Sequence, residues 1–108
     1  MTMRYDAPAK DIIRVVRGLL AEPAHWVKGT NMRVFNGVRS MCLAYAILVA
    51  TGTQADERGS DIALQNVAIA LGFSGSGPMV TFNDMSLTTH AKLLERLDRA
   101  LENEPTVN

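Results

Sequence analysis

Acidic residues are missing from a long internal stretch of this sequence. No aspartate or glutamate occurs in residues 23–55, whereas Lys28, Arg33 and Arg39 give that stretch a formal charge of +3. The 108-residue chain is neutral overall, because residues 1–22 carry a charge of +1 and residues 56–108 carry −4. Charge that is segregated along a sequence favours a surface that faces an anion or an acidic partner.

Cysteine and histidine are also scarce. Cys42 is the single cysteine, which excludes an intramolecular disulfide and a multi-cysteine zinc site. The two histidines, His25 and His90, are 65 positions apart, and this spacing matches no metal-ligand motif. We therefore predict no metal, no cofactor and a reducing, cytoplasmic setting.

No apolar run reaches the length of a membrane span. The longest uncharged apolar stretch, residues 41–50, is about half of what a bilayer requires. The first six residues are too charged for a signal peptide. We expect a soluble protein with no membrane as a partner, and its pI of about 6.7 also argues against long nucleic acid as a partner.

The residues that are present predict one helical domain. At 108 residues, the chain has the size of a single domain, and we expect residues 1–108 to form one, with an ordered core from about 8 to 104. Apolar periodicity predicts an all-α bundle of four main helices. These helices are expected at 9–22, at 41–51, at 61–71 and after residue 88, with a short β-hairpin allowed between the first two.

Local signals refine these elements. The segment 41–51 is apolar on all sides, so we expect this helix at the centre of the bundle. Ser40, Ser60 and Thr88 are the predicted N-caps of the second, third and fourth helices. Residues 73–87 contain Ser-Gly-Ser-Gly-Pro, and we predict no helix there.

The hairpin prediction rests on a short irregular region after the first helix. Residues 26–27 and 32–35 are mostly apolar, and they flank the sequence Lys-Gly-Thr-Asn at 28–31. This arrangement favours a turn at 28–31 between two short strands.

Four short motifs, taken in order, resemble a known family. They are Trp-Val-Lys-Gly at 26–29, Cys-Leu-Ala-Tyr-Ala at 42–46, Phe-Asn-Asp at 82–84 and Leu-Glu-Arg-Leu-Asp-Arg-Ala at 94–100. On these motifs the chain is similar to a small uncharacterised family found in actinobacteria and their bacteriophages. The resemblance implies a compact helical domain of phage or actinobacterial origin, which would work in the host cytoplasm if phage-encoded. Its family-typical positions are Trp26, Cys42, Asn83 and Asp84.

The acid-free stretch supplies the first candidate site. Trp26 and Phe35 offer flat faces for stacking, and the three basic residues offer charge, including the bidentate fork of arginine. Together they suit a nucleotide-like anion. The alternative is that Trp26 belongs to the core and that the basic residues are solvated or pair with acidic residues elsewhere. The predicted ligand-binding residues are Trp26, Lys28, Arg33, Phe35, Arg39, Asn83 and Asp84.

A second candidate site uses the cysteine. Cys42 opens a helix, where a thiol pKa is lowered, and it could pair with His25 or His90 and be oriented by Asn83 or Asp84. The alternative is a buried cysteine that acts as a small apolar residue. An Asn-Asp pair also commonly binds its own backbone or caps the next helix.

Three functions follow in order of preference. The first is a non-enzymatic protein that binds or sequesters an anionic, nucleotide-like small molecule through residues 25–39. The second is an interaction module that inhibits or regulates an acidic host protein, either through the same residues or through the basic stripe of Lys10, Arg14 and Arg17 on the first helix. The third is a small cysteine hydrolase using Cys42. We also expect a homodimer or higher homo-oligomer, because two-fold dimers are the commonest assemblies and complementary charged segments could meet across an interface.

Overall fold

The chain folds into a set of packed helices with one β-hairpin at their side. The computed structural model describes residues 2–54 and 58–102, and in these ranges there are five α-helices. They are α1 (Ala9–Leu19), α2 (Leu43–Thr51), α3 (Arg58–Ala70), α4 (Ser76–Asp84) and α5 (His90–Glu102). A 3₁₀ helix (Pro23–His25) and the strands β1 (Met32–Phe35) and β2 (Val38–Met41) lie between α1 and α2. The predicted helical class and the hairpin are confirmed, and the predicted four main helices are corrected to five.

One apolar core joins the helices. Helix α2 packs against α1, α3 and α4, while α1 also packs against α3 and α5. No residue of α2 is exposed, which agrees with its apolar character on all sides. The largest fully buried apolar side chains are Ile12, Ile13, Val16, Leu20, Leu43, Ile47, Val67, Met79, Leu93 and Leu97.

Helix α1 ends earlier than its apolar periodicity predicts. The prediction extended to residue 22, but the helix ends at Leu19. Glu22 has an extended backbone with a ψ of 142°, because the residue before a proline is pushed out of the helical region. The amphipathic character holds, since Arg17 pairs with Asp98 of α5 at 2.8 Å beside the buried apolar stripe.

The hairpin turn lies at a different place from the prediction. The chain turns at Asn36 and Gly37, whose φ angles are 52° and 77°, and these positive values fit the type I′ turn that Asn-Gly favours in two-residue hairpins. Met32 therefore pairs with Met41 in an antiparallel register. Trp26 forms a single parallel bridge to Met41 and takes no part in the hairpin ladder.

The start of α2 also differs from the prediction. Ser40 lies in β2 and is not a helix cap. Cys42 is the N-cap residue instead, and its sulfur accepts a hydrogen bond from the backbone N–H of Tyr45 at 3.3 Å. The cysteine therefore satisfies one of the N–H groups that every helix start leaves unpaired.

Helix α4 is an element that the sequence did not predict. It begins at Ser76 and contains Pro78 as its third residue. Proline is tolerated there because the N–H groups of the first turn have no partner within the helix. Burial of Met79 and Asn83 fixes this helix against the core, which outweighs its weak intrinsic tendency to be helical.

The two remaining caps need correction as well. Ser60 is buried inside α3, which is described from Arg58 onward. Helix α5 is capped by Thr89 and not by Thr88, because the Thr89 hydroxyl accepts a hydrogen bond from Lys92 N at 3.2 Å. The predicted end of the ordered core, residue 104, lies outside the described residues. Within those residues no helix has both the length and the apolar character to cross a membrane.

Candidate functional site

A polar cluster forms where three segments meet. Asn83 and Asp84, the last residues of α4, accept hydrogen bonds from Trp26 and Gly29 of the loop at 26–31 and from Leu43 at the start of α2. Cys42 lies beside Asn83 and Asp84 in the lining of one small pocket. The four positions that carry the family resemblance therefore lie side by side in the fold, although they are far apart in the sequence.

Asn83 is the centre of this cluster. Its side-chain oxygen accepts hydrogen bonds from Trp26 Nε1 at 2.7 Å and from Leu43 N at 3.0 Å. Its amide nitrogen donates to Val27 O at 3.2 Å and to Asp84 Oδ1 at 2.9 Å. An asparagine amide offers two donors and two acceptor lone pairs, so every one is used. Asn83, which is 1% exposed, therefore positions its neighbours and has no hydrogen-bonding capacity left for a ligand.

Asp84 differs from Asn83 because part of its carboxylate is free. Oδ1 accepts hydrogen bonds from Gly29 N and from Asn83 Nδ2, both at 2.9 Å. The pKa of Asp84 is lowered below its ordinary value, mainly by the hydrogen bond from Gly29 N. The hydrogen bond from Asn83 and the nearby charge of Lys28 lower it further. No described residue donates a hydrogen bond to Oδ2. The site therefore holds an ionised carboxylate with one oxygen available.

Trp26 is largely engaged within the fold. Besides the bond to Asn83, its ring lies 5.4 Å from the Lys28 ammonium group and 6.1 Å, centroid to centroid, from the ring of His90. His90 Nε2 is 2.7 Å from Leu20 O, and Lys28 Nζ donates to the Met85 carbonyl at 2.6 Å. The indole, predicted to stack on a ligand, is thus packed between side chains of the protein.

A small cavity lies beside the polar cluster. Its volume is about 140 Å³. We call it the Asp84 cavity, and its lining residues are Gly29, Thr30, Asn31, Cys42, Ala44, Val80, Asn83 and Asp84. Residues 29–31 and 44 and Val80 were not among the predicted site residues. In the described part of the chain, no group of three or more His, Cys, Asp or Glu side chains is placed to hold a metal ion.

The basic and aromatic residues of the hairpin lie outside the polar cluster. In the register of the strands, Arg33 lies opposite Ser40 and Val34 lies opposite Arg39. Because side chains alternate between the two faces of a strand, Arg33 and Phe35 share one face and Arg39 lies on the other. The structure therefore does not gather the predicted ligand-binding residues into one site.

This hairpin surface is exposed. Phe35 is 71% exposed and Val34 is 59% exposed. No acidic side chain in residues 2–54 or 58–102 forms an ion pair with Arg33 or Arg39. We define the hairpin surface by Arg33, Val34, Phe35, Val38 and Arg39.

Comparison with known proteins now adds a family to this geometry. A family model matches residues 4–103, which is most of the chain. The chain belongs to DUF6197, a family of unknown function. No curated protein and no solved structure matches it. Membership of DUF6197 confirms the predicted uncharacterised family, while phage or actinobacterial origin stays a prediction.

Cys42 is a buried thiol in this member of DUF6197. It is 7% exposed, and burial raises its pKa above the ordinary value. Its sulfur accepts from Tyr45 N, and its S–H lies 3.9 Å from Asn31 Oδ1. Neither histidine lines the Asp84 cavity, since His90 contacts Trp26 and His25 lies beside the hairpin. This geometry favours a protonated, structural thiol over the thiolate–imidazole pair of a hydrolase.

We expect Cys42 to react slowly with iodoacetamide in the folded protein at neutral pH. Burial limits access, and a raised pKa leaves little thiolate, so the native rate should be at least about tenfold below that of the unfolded chain. Mass spectrometry of timed samples, with and without guanidinium chloride, measures both rates. Prompt modification of the folded protein would revive the cysteine hydrolase hypothesis.

We expect Asp84 to make stability depend on pH. A pKa that is lower in the folded state gives stability that is present above the unfolded pKa and is lost as the pH falls through the folded pKa. The advantage of the wild type over Asp84→Asn should therefore shrink between about pH 5 and pH 3. Urea unfolding of both proteins at several pH values measures it, and a constant difference would contradict the assigned shift.

Proposed function

We propose that this protein is a non-enzymatic binding module whose hairpin surface docks onto an acidic protein partner. The observation that carries the proposal is Phe35, a large aromatic side chain that is 71% exposed in a stretch with no acidic residue. Val38 is the register partner of Phe35 on the same face of the hairpin, and neighbouring exposed apolar side chains mark interaction surfaces more often than isolated ones do.

The composition of the hairpin surface fits a protein interface. Val34, Phe35 and Val38 are 59%, 71% and 40% exposed. Val34 and Val38 are each next in sequence to an arginine, and Phe35 shares a face of the hairpin with Arg33. Aromatic residues and arginine are enriched at interfaces, where the apolar part is buried and the charge orients the partner. Because Arg33 and Arg39 lie on opposite faces, they would contact acidic groups on both sides of the inserted hairpin.

The shape of the hairpin also favours a protein. Residues 31–39 are all exposed, so both faces of the hairpin are accessible to a partner. Small molecules bind mostly in concave pockets, whereas an exposed hairpin can insert into a groove of a larger partner. This surface corresponds to the second of the three functions that the sequence suggested.

Site-specific photocrosslinking tests the proposal. Phe35 is replaced by p-benzoylphenylalanine, and Ile69 of α3, which is 56% exposed, receives the same group as the control. Both proteins are irradiated in an extract of the cells that carry the gene. The crosslinked peptides are then identified by mass spectrometry. We expect a recurrent product at position 35 alone, in a segment rich in aspartate and glutamate. Products that match at both positions, peptides without acidic enrichment, or crosslinks to a second copy of this chain would contradict the proposal.

Charge reversal gives the second arm of the test. Arg33→Glu combined with Arg39→Glu should reduce the crosslink yield at Phe35 by roughly tenfold or more, because each arginine would lose a charge-assisted contact and gain repulsion. Arg58→Glu, at an exposed position of α3, is the matched control and should leave the yield unchanged. Circular dichroism confirms that each variant is folded.

A nucleotide-like anion is the second candidate for the same surface. The observation that favours it is the shared face of Arg33 and Phe35, which would let a base stack while the guanidinium group binds phosphate. Titration with ATP, followed by calorimetry, tests this candidate. Binding that is lost in both Arg33→Glu and Phe35→Ala supports it, and the absence of measurable heat at millimolar ATP removes it.

A further inference from the structure

We propose that the Asp84 cavity is a binding site for a small alkylammonium group. The Asp84 cavity is distinct from the hairpin surface, so this inference stands or falls independently of the proposed protein partner. It rests on three properties of the cavity: its size, the arrangement of polar and apolar residues in its wall, and its charge.

The size of the cavity suits a ligand of a few heavy atoms. Its volume of about 140 Å³ is roughly ten times the 10–15 Å³ that a single water requires. Drug-sized ligands occupy pockets of roughly 300–1,000 Å³, so a whole nucleotide does not fit. A short aliphatic amine does.

The wall of the cavity divides into a polar part and an apolar part. Thr30, Asn31 and Asp84 supply oxygen atoms, while Ala44 and Val80 supply methyl groups. An alkylammonium ion has a matching division, with three N–H donors at one end and an apolar chain at the other. The single bond from the Cys42 thiol to Asn31 Oδ1 is long, at 3.9 Å, and leaves that oxygen able to accept a stronger donor.

The charge of the cavity selects a cation. Asp84 is the one charged residue in its lining, and its carboxylate is held by Gly29 N and by Asn83. Asn83 is itself fixed by Trp26 and Leu43, so the anion is oriented in advance. Lys28 does not line the cavity, because its ammonium group is bonded to the Met85 carbonyl. An ammonium group would pair with Asp84 Oδ2, whereas a carboxylate or phosphate would be repelled.

The test uses n-propylammonium chloride and protein labelled with ¹⁵N. The reporter signals are the backbone N–H of Gly29, which bonds to Asp84, and the indole N–H of Trp26, the single tryptophan. We expect saturable shifts of both signals with a Kd on the order of 1 mM, which is reasonable for so few atoms. Propanol and propionate have nearly the same shape without the positive charge, and they should cause no saturable shift.

Two variants address the charge and the space separately. Asp84→Asn keeps an oxygen acceptor for Gly29 N and removes the charge, and Ala44→Leu fills the cavity while the carboxylate stays. Asp84→Asn should weaken propylammonium binding by roughly 10- to 100-fold, the loss expected for a charge-assisted hydrogen bond. Ala44→Leu should weaken it by a similar factor, because the larger side chain occupies the space of the propyl chain. Glu95→Gln and Ala70→Leu, at exposed positions outside the cavity, are the matched controls and should bind as the wild type does.

Several results would overturn the proposal. They are a wild type that gives no saturable shift, equal binding of propanol or propionate, and undiminished binding by a folded Asp84→Asn protein. If either variant fails to fold, the series of three isosteric probes on the wild type still decides the question. A lysine side chain carries the same chemical group, so Nα-acetyl-lysine N-methylamide, whose ε-ammonium group is free, is added as a further probe. Binding of this lysine probe assigns the site to a lysine side chain on a protein. If the lysine probe does not bind while propylammonium does, the site is assigned to a free amine.

Discussion

Asn83→Ala is expected to lower the free energy of unfolding by roughly 3–5 kcal/mol, one of the largest effects available from a single polar side chain in this protein. The amide of Asn83 bonds to Trp26, Leu43, Val27 and Asp84, and it is 1% exposed. Alanine leaves the Trp26 N–H, the Leu43 N–H and the Val27 carbonyl without that partner. A buried group left unpaired costs roughly 1–3 kcal/mol, and several are affected together.

Urea unfolding followed by circular dichroism measures this loss, and Trp26 fluorescence reports the release of the indole N–H. Asn66→Ala on the exposed side of α3 is the matched control. It should change stability by no more than about 0.5 kcal/mol, because alanine favours helix and no core contact is lost. A cost below about 1 kcal/mol at Asn83 would show that the four hydrogen bonds do not hold the three segments together.

The helices with a regular apolar stripe could be predicted from the sequence. In α1 and α5 the apolar residues recur at helical spacing, and the structure buries those same stripes, including Ile12, Val16, Leu93 and Leu97. Such a pattern is local information, so it survives without knowledge of the rest of the fold. Helix α4 has no comparable stripe, and its formation depends on burying Met79 and Asn83 against other segments.

The polar cluster could not be assembled from the sequence alone. Trp26 and Asn83 are 57 positions apart, and no periodicity links them. The resemblance pointed to both residues as family-typical positions, but it gave no reason for them to touch. The structure supplies the reason, because the end of α4 lies against the loop after the 3₁₀ helix and the start of α2.

The basic stretch shows a different kind of limit. Its lack of acidic residues was read from the sequence correctly, yet Arg33 and Arg39 were expected on one surface. The Asn36-Gly37 turn fixes the register and puts them on opposite faces. Recognising that dipeptide as a type I′ turn would have corrected both the position of the hairpin and the grouping of its charges.

Ile47→Ala is expected to cost roughly 2–5 kcal/mol, as is Leu43→Ala on the same helix. Both side chains are 0% exposed and belong to the core cluster of α2. Truncating Ile47 removes three carbon atoms, worth about 0.8 kcal/mol each in transfer free energy, and leaves a space that the packed neighbours fill only in part. Because a domain of this size is stable by only about 5–15 kcal/mol, the loss should be plain in any unfolding measurement.

Leu48→Ala provides the comparison on the same helix. Leu48 is only half-buried, so its truncation should cost clearly less than that of Leu43, which is the same Leu→Ala change and therefore the same change in helix propensity. Urea midpoints at an unchanged m-value give the three differences in stability. If Ile47→Ala and Leu43→Ala each cost less than about 0.5 kcal/mol, α2 does not occupy the centre of the core. If Leu48→Ala costs as much as they do, the burial is uniform around the helix, which would require a further protein surface to cover its half-exposed side.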